Sequence, residues 1–251
     1  MIYFTGDVHG EQTIFIKPPY SPYTYLYEKY DNFDDWHIEP AFSHLKAEDI
    51  LIVCGDFGYL WEGSDKENTY LDALSRKLPF TLCFTDGNHE NFPLIESYPI
   101  TNWNGGRIHY IRDHIFHLMR GEIFEIDGVR LFAFGGAAST DSMHRIPGVS
   151  WWPQEVPNKE EIEYSRQKLM KYDQQVDIIV THTAPCDIAK RYRRSNYKET
   201  YSDRGFTDYL AEIATSVNYC AWVHGHFHTN DKLGRFHCLY DKVVSADDLF
   251  R

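Results

Sequence analysis

Five short apolar runs in this 251-residue chain are each followed, within four residues, by polar side chains that can bind a metal. The runs are rich in Val, Ile, Leu and Phe, which is typical of strands buried on both faces of a sheet. They cover residues 2–5, 49–54, 80–84, 176–180 and 219–223. The polar residues that follow them are Asp7 and His9, Asp56, Asn88 and His89, His182, and His226 and His228. Because α/β proteins place their chemistry at strand ends, the pattern predicts an α/β protein with one site at that edge.

Each of these motifs also has an ordinary structural explanation. Gly87 before Asn88 and His89 is typical of a turn that needs a residue at positive φ. Asp7 in its glycine-flanked segment is equally typical of a surface turn beside an incidental histidine. The recurrence of the pattern after five separate runs favours one shared functional site.

The charge and hydropathy of the chain limit its partners. The formal net charge of −12 argues against long nucleic acid, because non-specific binding to it requires a basic surface. Bound divalent cations could make the local charge positive, so the net charge does not exclude a small phosphate-bearing substrate. No apolar stretch approaches the roughly 20 residues that span a bilayer, and the first residues lack the basic segment of a signal peptide. The sequence therefore predicts a cytoplasmic protein without membrane contact, and it leaves the oligomeric state undefined.

The cysteines agree with that compartment. The five of them, at positions 54, 83, 186, 220 and 238, include no Cys-x-x-Cys pair. Most lie in or beside apolar runs, which predicts reduced thiols rather than a disulfide framework.

Three segments between the runs predict helices. Leucines at helical spacing predict a helix over residues 65–78. Asn158 predicts the N-cap of a second helix that runs to about residue 173, and Thr207 predicts the N-cap of a third that ends near residue 216.

The middle of the chain predicts successive strands. Apolar and polar residues alternate from 107 to 134, and Asp127-Gly128 is typical of a hairpin turn. His109, His114 and His117 lie in this region, but none follows an apolar run at a turn. We therefore interpret them as strand-face or surface residues rather than ligands.

Three further segments leave two interpretations open. The Tyr- and Pro-rich insertion at about 17–40 could be a lid near a substrate or an ordinary surface loop. The basic cluster at 190–194 could hold a substrate phosphate or form a solvated helix face. The loop at about 139–157 contains Arg145 and two tryptophans, and we place it near the site.

The mixture of side chains after the five runs is chemically specific. Carboxylates, imidazoles and one amide suit borderline divalent metals such as Zn, Mn or Fe, and the absence of a thiolate favours a site with open positions. Two metals about 3.5–4 Å apart need a bridging carboxylate, for which Asp56 is the natural candidate. Such a pair lowers the pKa of a shared water and holds the attacking and leaving oxygens of a displacement at phosphorus.

Taken together, the motifs resemble the signature of the calcineurin-like metallophosphoesterases. They are Gly6-Asp7-Val8-His9-Gly10, Gly55-Asp56, Gly87-Asn88-His89-Glu90, Thr181-His182 and Gly225-His226-Phe227-His228. Their order and spacing match along nearly the whole chain. The resemblance implies a single domain over residues 1–251, built as a four-layer αββα sandwich of two mixed β-sheets, with a dinuclear metal centre at the strand ends.

The resemblance also implies a role for each residue. One metal ion would be held by Asp7, His9, Asp56 and His228, and the other by Asp56, Asn88, His182 and His226. His89 would protonate the leaving oxygen or stabilise the charge that forms at phosphorus, with Asn88 fixing its position. Mn is the first candidate for both ions, followed by Zn, Fe and Ni.

The chain departs from the Ser/Thr protein phosphatases within that family. Phe57-Gly58 follows Asp56, where those phosphatases carry an Asp-Arg-Gly whose Arg binds the substrate phosphate, and His182 is not followed by Gly-Gly. Residues 135–139 and 150–153 look more like a bacterial or phage-type group of small metallophosphoesterases. Arg145 is our candidate to replace the missing Arg, and stacking of Arg145 on the nearby tryptophans is the structural alternative.

These expectations lead to one functional hypothesis and three alternatives. The chain is expected to be a metal-dependent phosphodiesterase that acts on a small or nucleotide substrate. A phosphomonoesterase and a Ser/Thr-type protein phosphatase are the enzymatic alternatives. A metal-binding scaffold without catalysis is the third, because a fold does not guarantee a reaction.

Overall fold

The computed structural model describes residues 1–18, 33–192 and 204–251. The strands in these ranges are β1 Ile2–Thr5, β2 Ile16–Lys17, β3 His37–Ile38, β4 Ile50–Val53, β5 Thr81–Phe84, β6 Ile100–Trp103, β7 Gly106–Arg112, β8 Ile115–Leu118, β9 Glu122–Ile126, β10 Val129–Phe134, β11 Ile178–Thr181, β12 Ala221–His224, β13 Asp231–Leu233, β14 Phe236–Cys238 and β15 Val244–Ser245. The α-helices are α1 Asp65–Lys77, α2 Phe92–Glu96, α3 Lys159–Lys171, α4 Cys186–Tyr192, α5 Arg204–Ser216 and α6 Ala246–Leu249.

The strands form two large mixed sheets and one small hairpin-like pair. The first sheet has seven strands in the order β15-β1-β4-β5-β8-β7-β6, and the second has six in the order β13-β14-β12-β11-β10-β9. Neighbouring strands are parallel from β1 through β4 and β5 to β8, and from β10 through β11 and β12 to β14. β2 pairs with β3 in antiparallel fashion.

Alternation of side chains along the central strands produces four layers. On β4, Leu51 packs in the same cluster as the apolar face of α1, whereas Ile52 packs in the cluster between the two sheets. On β11, Val180 packs in that same inter-sheet cluster, and Ile179 packs with residues of α3 and α5. Both faces of each sheet are therefore covered, which explains why these strands are apolar throughout. The predicted αββα sandwich is confirmed.

α1 and α3 lie within the ranges predicted for the first and second helices, and Asn158 caps α3 as predicted. α1 begins after Ser64, whose side chain accepts from the backbone N–H of Glu67. α3 begins after Asn158 in a capping box with Glu161, and it ends at Lys171. Among the described residues, no helix combines the length and the apolar composition needed to cross a bilayer.

The predicted cap of the third helix is wrong. α5 already includes Arg204, so Thr207 lies inside its first turn rather than before it. The Thr207 hydroxyl is buried and lies 3.4 Å from the carbonyl oxygen of Arg204, to which it donates. A threonine within a helix can bond to a carbonyl of the preceding turn, so its presence alone does not mark a helix start.

The strands predicted from alternation at residues 107–134 are confirmed as β7 to β10. Asp127 and Gly128 both have positive φ, 50° and 80°, as the hairpin between β9 and β10 requires. β6 and β13 are not predicted by the sequence. Both are short and largely exposed strands at sheet edges, so they carry no apolar periodicity.

Two of the open segments are described only in part. The ends of the Tyr- and Pro-rich insertion are held together by the pairing of Lys17 with His37, and residues 19–32 lie outside the described residues. In the basic cluster, Lys190 and Arg191 are exposed residues of α4, and residues 193 and 194 lie outside the described residues. A role for either segment stays a prediction, as does the assignment of residues 1–251 to one domain.

Candidate metal centre

The polar residues that follow β1, β4, β5, β11 and β12 meet at one edge of the sandwich. β1, β4 and β5 are adjacent and parallel in the first sheet, and β11 and β12 are adjacent and parallel in the second. Several of these residues adopt a left-handed φ, which non-glycine residues seldom use. These are His9 at 49°, Asp56 at 52°, His226 at 70° and His228 at 48°. Such strained backbone conformations cluster at functional sites.

One group of four side chains converges on a common point. Asp7, His9, Asp56 and His228 each offer one ligand atom, and these atoms all lie within 4.8 Å of one another. His9 Nε2 is 3.0 Å from His228 Nε2 and 3.8 Å from Asp56 Oδ2. The two carboxylates are buried and the two imidazoles are exposed, so the group opens toward solvent on one side. These are the residues that the family resemblance implies for one metal ion.

A second group lies on the other side of Asp56. His182 Nε2 is 3.2 Å from Asn88 Oδ1 and 3.3 Å from Asp56 Oδ1. The rings of His182 and His226 are 5.0 Å apart between centroids. Asp56 therefore directs one oxygen toward His9 and the other toward His182. A carboxylate that bridges two metal ions needs this position.

Backbone hydrogen bonds hold the two carboxylates in place. The His9 N–H donates to the carbonyl oxygen of Asp56 over 2.8 Å, and the His89 N–H donates to Asp56 Oδ1 over 2.8 Å. The His226 N–H donates to Asp7 Oδ1 over 2.9 Å. Each contact joins residues from different strand-end loops, so the loops position one another.

The buried charges shift the pKa values of the group. Burial raises the pKa of Asp7 to about 6 and lowers that of His226 to about 3. Burial opposes ionisation of Asp56 and His182 as well, but their mutual attraction outweighs it, so the pKa of Asp56 falls below its usual range and that of His182 rises to about 10. A bound divalent cation would take over the charge compensation that the His182 proton provides.

The donor set fits divalent metal ions. His182 Nδ1 is 2.8 Å from the carbonyl oxygen of Cys54, which can only accept, so Nδ1 carries the proton and Nε2 is the atom available to a metal. The other candidates supply two carboxylates, three imidazoles and one amide oxygen. This combination of oxygen and nitrogen donors suits borderline cations such as Mn, Fe and Zn.

His89 and Arg145 lie together beside the first group. The His89 ring is 5.1 Å from the His9 ring between centroids, and Arg145 Nη2 is 3.3 Å from His89 Nε2. Arg145 is held by Asp141 at 2.9 Å and by the carbonyl oxygen of Ser150 at 3.4 Å. Burial and the Arg145 charge together lower the pKa of His89, against the opposing effect of Asp56.

In the described residues, Arg145 does not stack on the nearby tryptophans, which is the structural alternative for this residue. Trp152 packs edge-on against Trp61 with ring centroids 5.2 Å apart. Among the residues that the structure describes, the arginines positioned over aromatic rings do not include Arg145.

A sequence model of the family described as calcineurin-like phosphoesterase matches residues 1–230. The chain belongs to this family. The matched region contains every candidate ligand together with His89 and Arg145. Members are metal-dependent phosphoester hydrolases with a dinuclear centre, so this chain is a metallophosphoesterase. A search among curated proteins returned no match.

The loop at 139–157 contributes contacts to this phosphoesterase site that the sequence did not predict. Ser139 accepts a hydrogen bond from Asn88 Nδ2 over 3.2 Å, and Glu155 accepts from both the N–H and the hydroxyl of Ser139. The small residues at 135–139 were the only sequence signal of close approach. Nothing in the sequence indicated which distant side chains they would meet.

The three histidines interpreted as non-ligands lie apart from the metal centre of the phosphoesterase. His109 and His117 are buried on neighbouring strands, with their Nδ1 atoms 2.9 Å apart. His117 Nε2 donates to Asp86 Oδ1 over 3.1 Å. His114 is exposed in the turn between β7 and β8. The interpretation of all three as strand-face or surface residues is confirmed.

Proposed function

We propose that this phosphoesterase is a phosphodiesterase that acts on a small or nucleotide substrate and uses two divalent ions, with Mn as the first candidate. The observation that carries the proposal is the position of Asp56 between two groups of donors. Asp7, His9, Asp56 and His228 would hold one ion, and Asp56, Asn88, His182 and His226 the other. Two bound ions would supply Lewis acidity at phosphorus and a water of lowered pKa.

The remaining chemistry is assigned to His89 and Arg145. His89 is partly exposed and lies beside His9, where it can reach the oxygens of a bound phosphoester as proton donor or hydrogen-bond donor. Arg145 lies within 3.4 Å of the same ring, so its guanidinium can bind a non-bridging oxygen. Arg145 would thus replace the arginine that the protein phosphatases place after the bridging aspartate.

Arg145 is a cation at the open side of the site, next to the partly exposed ring of His89. Together with two bound metal ions, it would neutralise the negative charge of a phosphodiester. Turnover of diesters and of monoesters is compared directly in the substrate panel below.

A cavity beside Asp7 and His9 could receive the part of a small substrate that extends beyond its phosphate. A cavity of about 430 Å³ borders Asp7 and His9 and is lined on one side by Tyr240. Its volume lies in the range of small-molecule sites. Tyr240 stacks on His228 with ring centroids 4.9 Å apart, so an aromatic face lies next to the candidate ligands. A nucleotide could use such a face for its base.

The alternative of a protein phosphatase receives less support from the residue after Asp56. Phe57 is buried and stacks on Phe84 with ring centroids 4.1 Å apart, so it cannot contact a substrate. The scaffold alternative does not explain why His89 and Arg145 lie beside the ligands. We also propose a cytoplasmic location, because the five cysteines are free thiols and three of them are buried.

The proposal is tested by a panel of substrates and metals. The purified protein is assayed with Mn, Zn, Ni and Mg against aryl phosphodiesters, cyclic dinucleotides, phosphomonoesters and phosphopeptides. We expect Mn-dependent turnover of diesters at the highest kcat/KM, and loss of at least a thousand-fold in Asp56→Asn. Asp72→Asn, a half-exposed carboxylate paired with Arg112 on the helical side, is the matched control.

Each other outcome selects an alternative. Faster turnover of phosphopeptides than of diesters would assign the chain to the protein phosphatases, and faster turnover of small monoesters would make it a phosphomonoesterase. Binding of two metal ions without turnover of any substrate would favour the scaffold.

A further inference from the structure

Three buried side chains form a hydrogen-bonded chain behind the candidate metal centre. Glu155 and Ser139 are each 2% exposed, and Asn88 is 7% exposed. Glu155 Oε1 accepts from the Ser139 N–H over 2.7 Å, and Glu155 Oε2 accepts from the Ser139 hydroxyl over 2.6 Å. The Asn88 amide nitrogen is 3.2 Å from the Ser139 hydroxyl oxygen. Of these three residues, only Asn88 is a candidate metal ligand.

The hydrogens available on the three hydrogen-bonded side chains determine which way the Asn88 amide points. Burial raises the pKa of Glu155, whereas the hydrogen bonds that it accepts from Ser139 favour its ionised form. The ionised carboxylate can only accept, so the single hydrogen of the Ser139 hydroxyl is donated to Glu155. Ser139 can then only accept from Asn88, and the Asn88 group that faces it must be the NH₂. The amide oxygen consequently faces the opposite way, toward His182 Nε2 at 3.2 Å.

The orientation matters because only one end of an amide binds a cation. The carbonyl oxygen is a neutral donor to metal ions, whereas the NH₂ group has no lone pair to offer and would repel a cation through its hydrogens. A flipped Asn88 would fill the same volume without being a ligand. Packing around Asn88 therefore cannot by itself fix the orientation of the amide, and the hydrogen bond to Ser139 is needed.

Glu155 is itself anchored to the strand end that carries Asn88. Arg120 Nη2 donates to Asp86 Oδ2 over 2.5 Å and lies 3.4 Å from the carbonyl oxygen of Glu155. The Ala137 N–H donates to the same carbonyl oxygen over 3.0 Å. Asp86 precedes Asn88 by two residues, so the guanidinium links the acid and the amide through a short path.

We propose that Ser139 and Glu155 are positioning residues that keep the Asn88 oxygen directed at the second metal ion. The proposal rests on the proposed function, since it assumes that Asn88 is a ligand. It adds two residues outside the ligand set, and it predicts that they act on one metal ion rather than on both. Ser139 would accept a hydrogen bond from the Asn88 NH₂, and Glu155 would accept the hydrogen bond from the Ser139 hydroxyl.

Two substitutions disrupt the hydrogen bonds among Glu155, Ser139 and Asn88 in different ways. Ser139→Ala removes the acceptor for the Asn88 NH₂, which leaves the amide free to rotate. Glu155→Gln keeps the size of the side chain but introduces an NH₂ group that faces either the Ser139 N–H or its hydroxyl. When this NH₂ donates to the hydroxyl oxygen, the Ser139 hydrogen is released toward Asn88 and favours the flipped amide.

The test measures binding of Mn²⁺ alone, by calorimetry with metal stoichiometry and by electron paramagnetic resonance of the bound ions. We expect two Mn²⁺ per wild-type chain with a spin-coupled signal. In both variants, affinity for one Mn²⁺ should fall about 10–100-fold while the other is retained, and the signal should become that of an isolated ion. Ser165→Ala, which removes a buried hydroxyl between α3 and α5, should bind both ions as wild type does.

A second background separates orientation from packing. In Asn88→Asp the carboxylate presents an oxygen in either orientation, so adding Ser139→Ala should cost no further metal affinity. The inference is overturned if Ser139→Ala and Glu155→Gln both bind two coupled ions with wild-type affinity. It is also overturned if the two ions weaken equally. A wild-type chain that binds fewer than two ions would instead contradict the proposed function, and if Ser139→Ala does not fold, Glu155→Gln decides.

Discussion

Arg145 lies against both ring nitrogens of His89, with Nη1 3.4 Å from Nδ1 and Nη2 3.3 Å from Nε2. A neutral imidazole has one acceptor nitrogen and one N–H, so the guanidinium can donate to only one of them. The arrangement leaves a cation beside a ring whose pKa is lowered, and their N–H groups could donate to a phosphate oxygen. It also means that the Arg145 charge disfavours protonation of His89.

Replacing Arg145 should therefore change both substrate binding and the pH profile. We expect Arg145→Gln to lower kcat/KM for an aryl phosphodiester by about 10²–10³, the usual effect of losing one donor to a developing anion. The pKa of His89 should rise, because the Arg145 charge is one of the effects that, after burial, lower it. Both are measured by pH-dependent kinetics and by NMR titration of the His89 ring.

The control for this prediction is Arg166→Gln, which removes a surface arginine paired with Glu212. It should leave kcat/KM unchanged. An unchanged rate in Arg145→Gln would end the assignment of Arg145 to the substrate phosphate.

Gly87 is expected to tolerate no side chain. A Cβ at Gly87 would lie 2.1 Å from Asp56 Oδ1 and 2.4 Å from the Asp56 backbone nitrogen, far inside van der Waals contact. Gly87→Ala should therefore displace Asp56 and reduce Mn²⁺ affinity by at least ten-fold. Gly205→Ala, at a helical position where the described residues leave open space, should raise the thermal midpoint slightly and leave metal binding unchanged. Equal metal affinity in both variants would contradict this geometry.

Arg120 should be one of the most sensitive buried positions. Its guanidinium pairs with Asp86 at 2.5 Å and with Glu161 at 3.3 Å, and Asp86 is only 1% exposed. Removing one partner of a buried ion pair costs about 3–5 kcal/mol, so Arg120→Met should lower the free energy of unfolding by that amount.

Denaturant unfolding measures this loss. Arg130→Met removes an exposed arginine that lies 3.9 Å from Glu125 and should cost less than about 0.5 kcal/mol. A loss below about 1 kcal/mol in Arg120→Met would show that the hydrogen bond from His117 is enough to hold the Asp86 carboxylate.

His109 should make the fold acid-sensitive. Burial, with a contribution from His117, lowers the pKa of His109 to about 4 in the folded chain. Above the ordinary pKa of about 6.5 the ring is neutral in both states and adds no pH dependence. Below it the unfolded chain binds a proton that the folded chain refuses, so stability falls as the pH drops from about 6.5 to about 4.

The loss should be on the order of 2 kcal/mol between pH 7 and pH 4.5. It is measured as the difference in free energy of unfolding at the two pH values. His109→Gln should lose this part of the pH dependence, whereas His114→Gln, at an exposed turn, should keep it. Parallel pH profiles for His109→Gln and wild type would refute the assignment to His109.

The sequence by itself determined the strands that carry the site and the residue types at their ends. Continuous apolar runs such as Ile50–Val53 predict buried strands because both faces of each sheet are covered, and the polar residues that follow these runs are easy to recognise. The family motifs add the expected roles of those residues. Motifs are recognised from residue types and their order along the chain, which the sequence contains without any knowledge of the folded structure.

Only the tertiary structure decided how side chains from distant segments meet. The contact of Arg145 with His89, and the chain from Glu155 through Ser139 to Asn88, join residues that are 16 to 56 positions apart. Thr207 shows the same limit at short range, because a threonine serves as a cap or as an interior residue according to where the helix begins. Hydrogen bonds act over about 3 Å between atoms, and sequence patterns carry no such distances until the chain is folded.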